Sequence, residues 1–276
     1  IDIALDPLEG TTITAKGLPN GLAVLAMAEH GGFLNAPDVY MDKIAVGGGL
    51  PDGVVDLDKS AKQNLADLAK AKKVQVADRV VCILDRPRHA ELIAKVREAG
   101  ARIMLIGDGD VSGVIATSTG DSGIDIYMGS GGAPEGVLAA AALRCTGGQM
   151  QGKLLFRNDD EVARARKWGI KDLNRKYGIL DLARGNVMFA ATGVTNAFNG
   201  SKRNPNFAAN AAIDIAGLNN GAFLRNTDDG IPSTAYAYFT RNSLQYPSGI
   251  AFTPTSSTAA CPTTIVGVTA CLLPTG

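Results

Sequence analysis

Near the start of the chain two carboxylates stand three residues apart and two hydroxyls follow at once, in Asp6-Pro7-Leu8-Glu9-Gly10-Thr11-Thr12. Pro7 removes a backbone donor and fixes its own φ, while Gly10 permits a sharp turn. Hard oxygen ligands on a rigid element suit Mg²⁺ or Mn²⁺, which take a few carboxylates and leave positions for water and phosphate. A turn of this composition serves equally well with its acids facing solvent, so other segments must decide.

Three further polar segments follow apolar runs, in the position where α/β sheets bind ligands. Asp85-Arg86-Pro87-Arg88-His89 offers two guanidiniums suited to bidentate phosphate contact around a proline that can open a helix. Gly107-Asp108-Gly109-Asp110 has acids placed to accept hydroxyls from a sugar, or merely to form a turn. Gly129-Ser130-Gly131-Gly132-Ala133-Pro134-Glu135-Gly136 reads as a glycine loop opening a helix, where backbone amides and the helix dipole favour an anion. Glu135 in that first turn either answers the dipole or joins Asp6 and Glu9 as a third metal ligand. His30, before a Gly-Gly turn, reads as exposed; His89, at a helix start beside Arg88, could touch an anion but is given no catalytic role. No nucleophile elbow, Walker lysine motif or dinucleotide fingerprint follows a strand.

The elements that must position these segments alternate. Ile1, Ile3 and Leu5 read as the end of a buried strand that stops at Asp6 because of Pro7. Strands are expected at 22–28, 39–46, 80–84, 103–106, 124–128 and 187–191. Helices are expected from the Ser60 cap to about Lys73, over 87–99, 111–116, 134–144 and 159–168. This is the pattern of an α/β layered domain.

With 276 residues the chain can bury a large core. Its formal charge is zero and its pI about 6.9, which provides no field for nucleic acid. No apolar run reaches the 18 or so residues needed to span a bilayer. Four well-separated cysteines without a C-x-x-C pair argue for free thiols in a reducing compartment, with the cytosol as default. The chain opens inside a strand and without Met, which leads us to expect a preceding segment. Beyond Thr195 the composition shifts: residues 196–276 hold seven charges, against 47 of the 54 in residues 1–195. Residues 1–195 are therefore expected to form the core, and 196–276 a low-charge tail that is either loosely ordered or translated out of frame.

In this order the segments resemble the class II fructose-1,6-bisphosphatases of the lithium-sensitive sugar and inositol phosphatase superfamily. The likeness rests on Asp6 to Thr12, Asn35-Ala36-Pro37-Asp38-Val39-Tyr40-Met41, Arg86 to His89, Asp108 to Asp110, Gly131 to Gly136 and Ala190-Ala191-Thr192-Gly193-Val194-Thr195. It covers roughly residues 1 to 195. The resemblance implies a layered α/β/α/β/α sugar-phosphatase fold, incomplete at the N-terminus, where the family carries an acidic helix and further metal ligands. It implies Mn²⁺- or Mg²⁺-dependent removal of the 1-phosphate of fructose 1,6-bisphosphate, with sedoheptulose 1,7-bisphosphate an additional substrate in some members. Asp6, Glu9 and Glu135 would bind metal, and Thr11 with Glu9 would be catalytic. Substrate would be lined by Glu9, Gly10, Thr11, Tyr40, Arg86, Pro87, Arg88, Asp108, Gly109, Asp110 and Gly132. A phosphosugar is the expected partner, without nucleic acid or membrane, in a homodimer or homotetramer. The alternatives are an inositol-monophosphatase-type hydrolase and an inactive phosphosugar-binding fragment.

Overall fold

The computed structural model describes residues 1–18, 20–119, 122–195 and the strand segments 221–226, 237–239, 244–245, 263–265 and 268–270. The expectation for a loosely ordered tail therefore lies, those segments apart, outside the described residues.

In chain order the elements are β1 (Asp2–Glu9), α1 (Thr11–Ala15), β2 (Leu22–Ala28), β3 (Tyr40–Val46), α2 (Ala61–Lys72), β4 (Val80–Leu84), α3 (Ala90–Glu98) and β5 (Arg102–Ile106). They continue with α4 (Asp110–Ile115), β6 (Ile126–Gly132), α5 (Ala133–Thr146), β7 (Gln149–Leu155), α6 (Asp159–Lys167), β8 (Lys176–Gly178), α7 (Ile179–Leu182) and β9 (Val187–Gly193). Short strands β10 (Gly221–Asn226), β11 (Ala237–Phe239), β12 (Leu244–Gln245), β13 (Thr263–Ile265) and β14 (Val268–Ala270) follow.

Among the described residues two six-stranded sheets carry the fold, beside a two-stranded pair of β13 and β14. The first is antiparallel in the order β1-β2-β9-β10-β11-β12. The second, β5-β4-β6-β3-β7-β8, is mixed: β4 runs parallel to β5 and β6, and the remaining pairs are antiparallel. Between them lies α5, against β1, β2, β9 and β10 on one side and β3, β6 and β7 on the other. Its sequence suits the place. Ala139 to Ala142 keep it thin enough for both sheets to close on it, and all four are buried. On the far face of the second sheet, Leu65 and Leu68 of α2 and Ile93 and Val96 of α3 pack with Ile44, Val81, Ile83 and Ile126. The described layers thus run sheet, helix, sheet, helix, in keeping with the α/β phosphatase fold.

Three local expectations change. Strand β1 does not end at Asp6; it slips register between Asp6 and Glu9, and Glu9 pairs again opposite Leu22. A proline is tolerated there because β1 is an edge strand and the slip leaves Pro7 and Leu8 out of the ladder. Nor are Ile1, Ile3 and Leu5 buried: they are 86%, 60% and 60% exposed. Alternation places Asp2, Ala4 and Asp6 beside Ala28, Ala26 and Val24 on the α5 side, so Ile3 and Leu5 fall on the outer face. Finally, Gly129 to Gly132 is not a loop but the end of β6, and α5 follows without an intervening residue. Strand β7, with Gly152 in its middle, had no obvious periodic signal; a Cβ at Gly152 would lie 2.5 Å from Met41 Sδ.

Because α5 has no slack between the sheets, Ala140→Leu should cost about 1–3 kcal/mol in urea denaturation. Ile3→Ser, on the open face, should stay within about 0.5 kcal/mol of the parent. Equal effects would mean that the sheets do not close on α5 as described.

Candidate active site

The polar segments meet at one end of the two sheets. The register slip in β1 directs Asp6 Oδ1 to accept the Leu8 N–H at 2.9 Å and carries Glu9 into the interior. Gly10, at φ +86°, then turns the chain into α1. A second loop of the same design, Asp108 with Gly109 at φ +83°, opens α4. The two loops are cross-stitched: Glu9 Oε1 accepts the Val111 N–H at 3.0 Å, and Asp108 Oδ2 accepts the Thr12 N–H at 3.1 Å. Each carboxylate thereby satisfies a donor that the first turn of the other helix leaves unpaired.

The arginines divide their work. Arg86 Nη1 donates to Gly107 O at 2.5 Å and to Asp85 O at 3.0 Å, and its Nη2 lies 3.5 Å from Asp108 Oδ1. Arg86 thus binds its own loop to the Asp108 loop, with Pro87 opening the 3₁₀ turn beside it. Arg88 is more open: Nε and Nη2 donate to Ser130 Oγ and O at 3.0 and 2.7 Å, and its guanidinium carbon stands 4.7 Å from the Tyr40 ring centroid. The guanidinium of Arg157, anchored to Glu161, lies 4.9 Å from the same centroid. Beneath them His89 is buried, accepting the Ser130 N–H at Nε2 (2.8 Å) and so donating from Nδ1 to Leu84 O (2.7 Å). Burial lowers its pKa, and it positions Ser130. His30 is exposed, as expected.

Glycines at the end of β6 make the acid pocket possible. A Cβ on Gly131 would stand 1.9 Å from Asp110 Oδ2, and one on Gly132 1.9 Å from Glu135 Oε2. The space for two side chains is therefore occupied by carboxylates reaching from α4 and α5. Burial pushes Glu9 up to about 9, with the charges of Asp110, Glu135 and Asp6 adding to the shift. Glu135 is raised as well, by burial first and then by Asp110 and Asp6. Glu135 Oε2 and the Tyr127 hydroxyl are buried without a hydrogen-bond partner. Where the sequence suggested that Asp110 accepts sugar hydroxyls, the structure buries it against Lys43, Nζ to Oδ2 2.5 Å.

Desolvated, mutually repelling carboxylates, one with an orphaned oxygen, form a donor set that fits a hard divalent cation. Asp6, Glu9 and Glu135 are the oxygens that would hold it. Among the described residues no group of three or more His, Cys, Asp or Glu side chains is placed to hold a metal ion, so Asp6, Glu9 and Glu135 share a region without closing on a common point. Water and a phosphate would complete such a shell.

A family model described as bacterial fructose-1,6-bisphosphatase, glpX-encoded, matches residues 1–216. The chain belongs to that family. Curated relatives agree: it is 44% identical over 208 residues to the D-fructose 1,6-bisphosphatase class 2/sedoheptulose 1,7-bisphosphatase of Synechococcus elongatus. It is 45% identical over 208 residues to the protein of the same name from Crocosphaera subtropica. Each alignment covers 71% of this chain and 60% of the relative, so the chain spans well under two thirds of the length of these relatives. The family match runs past residue 195, where the resemblance was expected to stop; residues 196–216 lie outside the described ones.

Family signatures bring Asp6, Glu9, Asp108, Asp110 and Glu135 to notice, but not Lys43, Ser130 or Arg157. A lysine amid the apolar residues of β3 was the available signal for the first. The others depend on contacts across the sheet that no local pattern announces.

A carboxyl whose pKa is raised on folding stabilises the fold fully below its unfolded value and loses that contribution as pH rises through the folded one. For Glu9 the window runs from about 4.5 to about 9. In EDTA, the thermal midpoint should fall across this range, and Glu9→Gln should flatten the decline and be the more stable protein at pH 8. Parallel profiles for parent and variant would place Glu9 outside the acid pocket.

Proposed function

We propose that the chain carries the catalytic core of a metal-dependent sugar bisphosphatase. It would release the 1-phosphate of fructose 1,6-bisphosphate and, as an additional substrate, hydrolyse sedoheptulose 1,7-bisphosphate. One observation carries this reading: buried Glu9 and the half-buried Asp6 and Glu135 lie in the same loop cluster as an arginine–tyrosine ledge of Arg88 and Tyr40. The first suits a cation and the second an anionic group, a combination that fits a phosphosugar.

Mn²⁺ or Mg²⁺ held by Asp6, Glu9 and Glu135 would supply Lewis-acid activation of water and neutralise charge on the phosphoryl oxygens. The protein's own groups do the rest. Thr11, first residue of α1, orients the attacking water through its hydroxyl, and Glu9, whose Oε1 is engaged by Val111, keeps Oε2 as an acceptor. Arg88 and Tyr40 hold a phosphate in ground and transition states alike. Gly10 and Gly132 let substrate approach the backbone, while Arg86, Pro87, Asp108 and Gly109 shape the wall around the sugar, and Asp110 stays behind it on Lys43. A homodimer or homotetramer belongs to the same proposal and is supported by the apolar strip on the outer face of β1. So does a cytosolic location; no helix among the described residues is long and apolar enough to cross a membrane.

Phosphate release from fructose 1,6-bisphosphate in Mn²⁺, beside calorimetric binding of each, tests the reading. Thr11→Ala should lower kcat and leave KM nearly unchanged, because orientation of water matters chiefly in the transition state. Arg88→Ala should raise KM about tenfold to a hundredfold, the loss of a charge-assisted bond of roughly 1.5–3 kcal/mol. Glu9→Gln should weaken Mn²⁺ binding. Substrate binding with neither Mn²⁺ binding nor turnover would make the chain a phosphosugar-binding fragment instead.

A further inference from the structure

Lys43 lies in the middle of β3 and is 1% exposed. Burying an ammonium is strongly unfavourable unless an opposite charge meets it, and here Asp110 does, at 2.5 Å. Two glycines make the room: a Cβ on Gly136 would stand 3.2 Å from Lys43 Cε, and one on Gly131 3.2 Å from Nζ. The ammonium thus reaches the acid pocket from the sheet behind it. Its charge is felt at Glu135, where it opposes the upward push of Asp110 and Asp6. None of the roles described above requires Lys43 to touch substrate.

We infer that the Lys43 ammonium is the resident cation of the acid pocket: it holds Asp110 in position and offsets part of the charge that a divalent ion would otherwise neutralise. The metal-free fold is then more stable, and the divalent ion more weakly held, than the carboxylates alone would make them. Lys43 is a positioning residue that sets metal affinity. The inference rests on the acid pocket being the cation site.

The experiment compares the 276-residue chain with Lys43→Met, Asp110→Asn and the double variant. Thermal midpoints are read in EDTA and in saturating Mn²⁺, and Mn²⁺ affinity by calorimetry. In EDTA, Lys43→Met should lower the midpoint by stranding Asp110, and adding Asp110→Asn should recover most of the loss. Lys43→Met should also bind Mn²⁺ at least about tenfold more tightly, the scale expected when a unit charge is removed a few ångströms from a divalent ion. Saturating Mn²⁺ should then close the gap in midpoint. A midpoint lowered equally with and without Mn²⁺, with affinity unchanged or weaker, would reduce Lys43 to packing and overturn the inference. If Lys43→Met does not fold in EDTA, rescue by Mn²⁺ or by Asp110→Asn supports the inference, and rescue by neither overturns it. A parent chain that binds no Mn²⁺ would count against the site reading. The metal-free cycle between positions 43 and 110 would still decide the role of Lys43, additive effects refuting it.

Discussion

Desolvation of carboxylates, sharpened by their mutual charge, is the constraint around which this structure is arranged. Glu9 is buried and Glu135 half-buried, and both feel the charges of Asp110 and Asp6. Such a cluster persists because other features hold it. The β1 slip delivers Glu9, the short helices α1 and α4 offer N–H donors, and the β6 glycines leave space.

These devices share a geometry. The acids of the cluster come from points where a strand gives way to a helix, and a different partner holds each of three: the Leu8 N–H for Asp6, the Val111 N–H of α4 for Glu9 and the Lys43 ammonium for Asp110. Arg86 and Asp108 tie adjacent loops together, and His89 and Ser130 fix Arg88 from below. The groups most open to a ligand, Thr11 and Arg88, are thus mounted on groups that are themselves fully occupied.

Much of this was readable in the chain. Pro7 and Gly10, Arg86 and Arg88, the acids and glycines from Gly107 to Asp110, and the run from Gly131 to Gly136 marked the four places that converge, and the alternation of periods announced the α/β class. What escaped notice depended on distant partners. Gly131 and Gly132 read as loop because glycine normally weakens a strand. Here Asp110 and Glu135 fill the volume that side chains would have taken. The same holds for Gly152, whose neighbour Met41 occupies its place. Ile1, Ile3 and Leu5 misled in the opposite sense: alternation showed that they share a face, but not which face turns inward. Asp2, Ala4 and Asp6 decided that by taking the side of α5.

The open strip on β1 has a colloidal consequence. An edge strand with Ile1, Ile3 and Leu5 on its surface is a template for another chain, and natural proteins guard such edges with like charge. This chain has a formal net charge of zero and a pI of about 6.9, so at neutral pH copies that approach one another meet little long-range repulsion. Its solubility minimum therefore falls near neutrality, where crowding brings apolar edges together most readily.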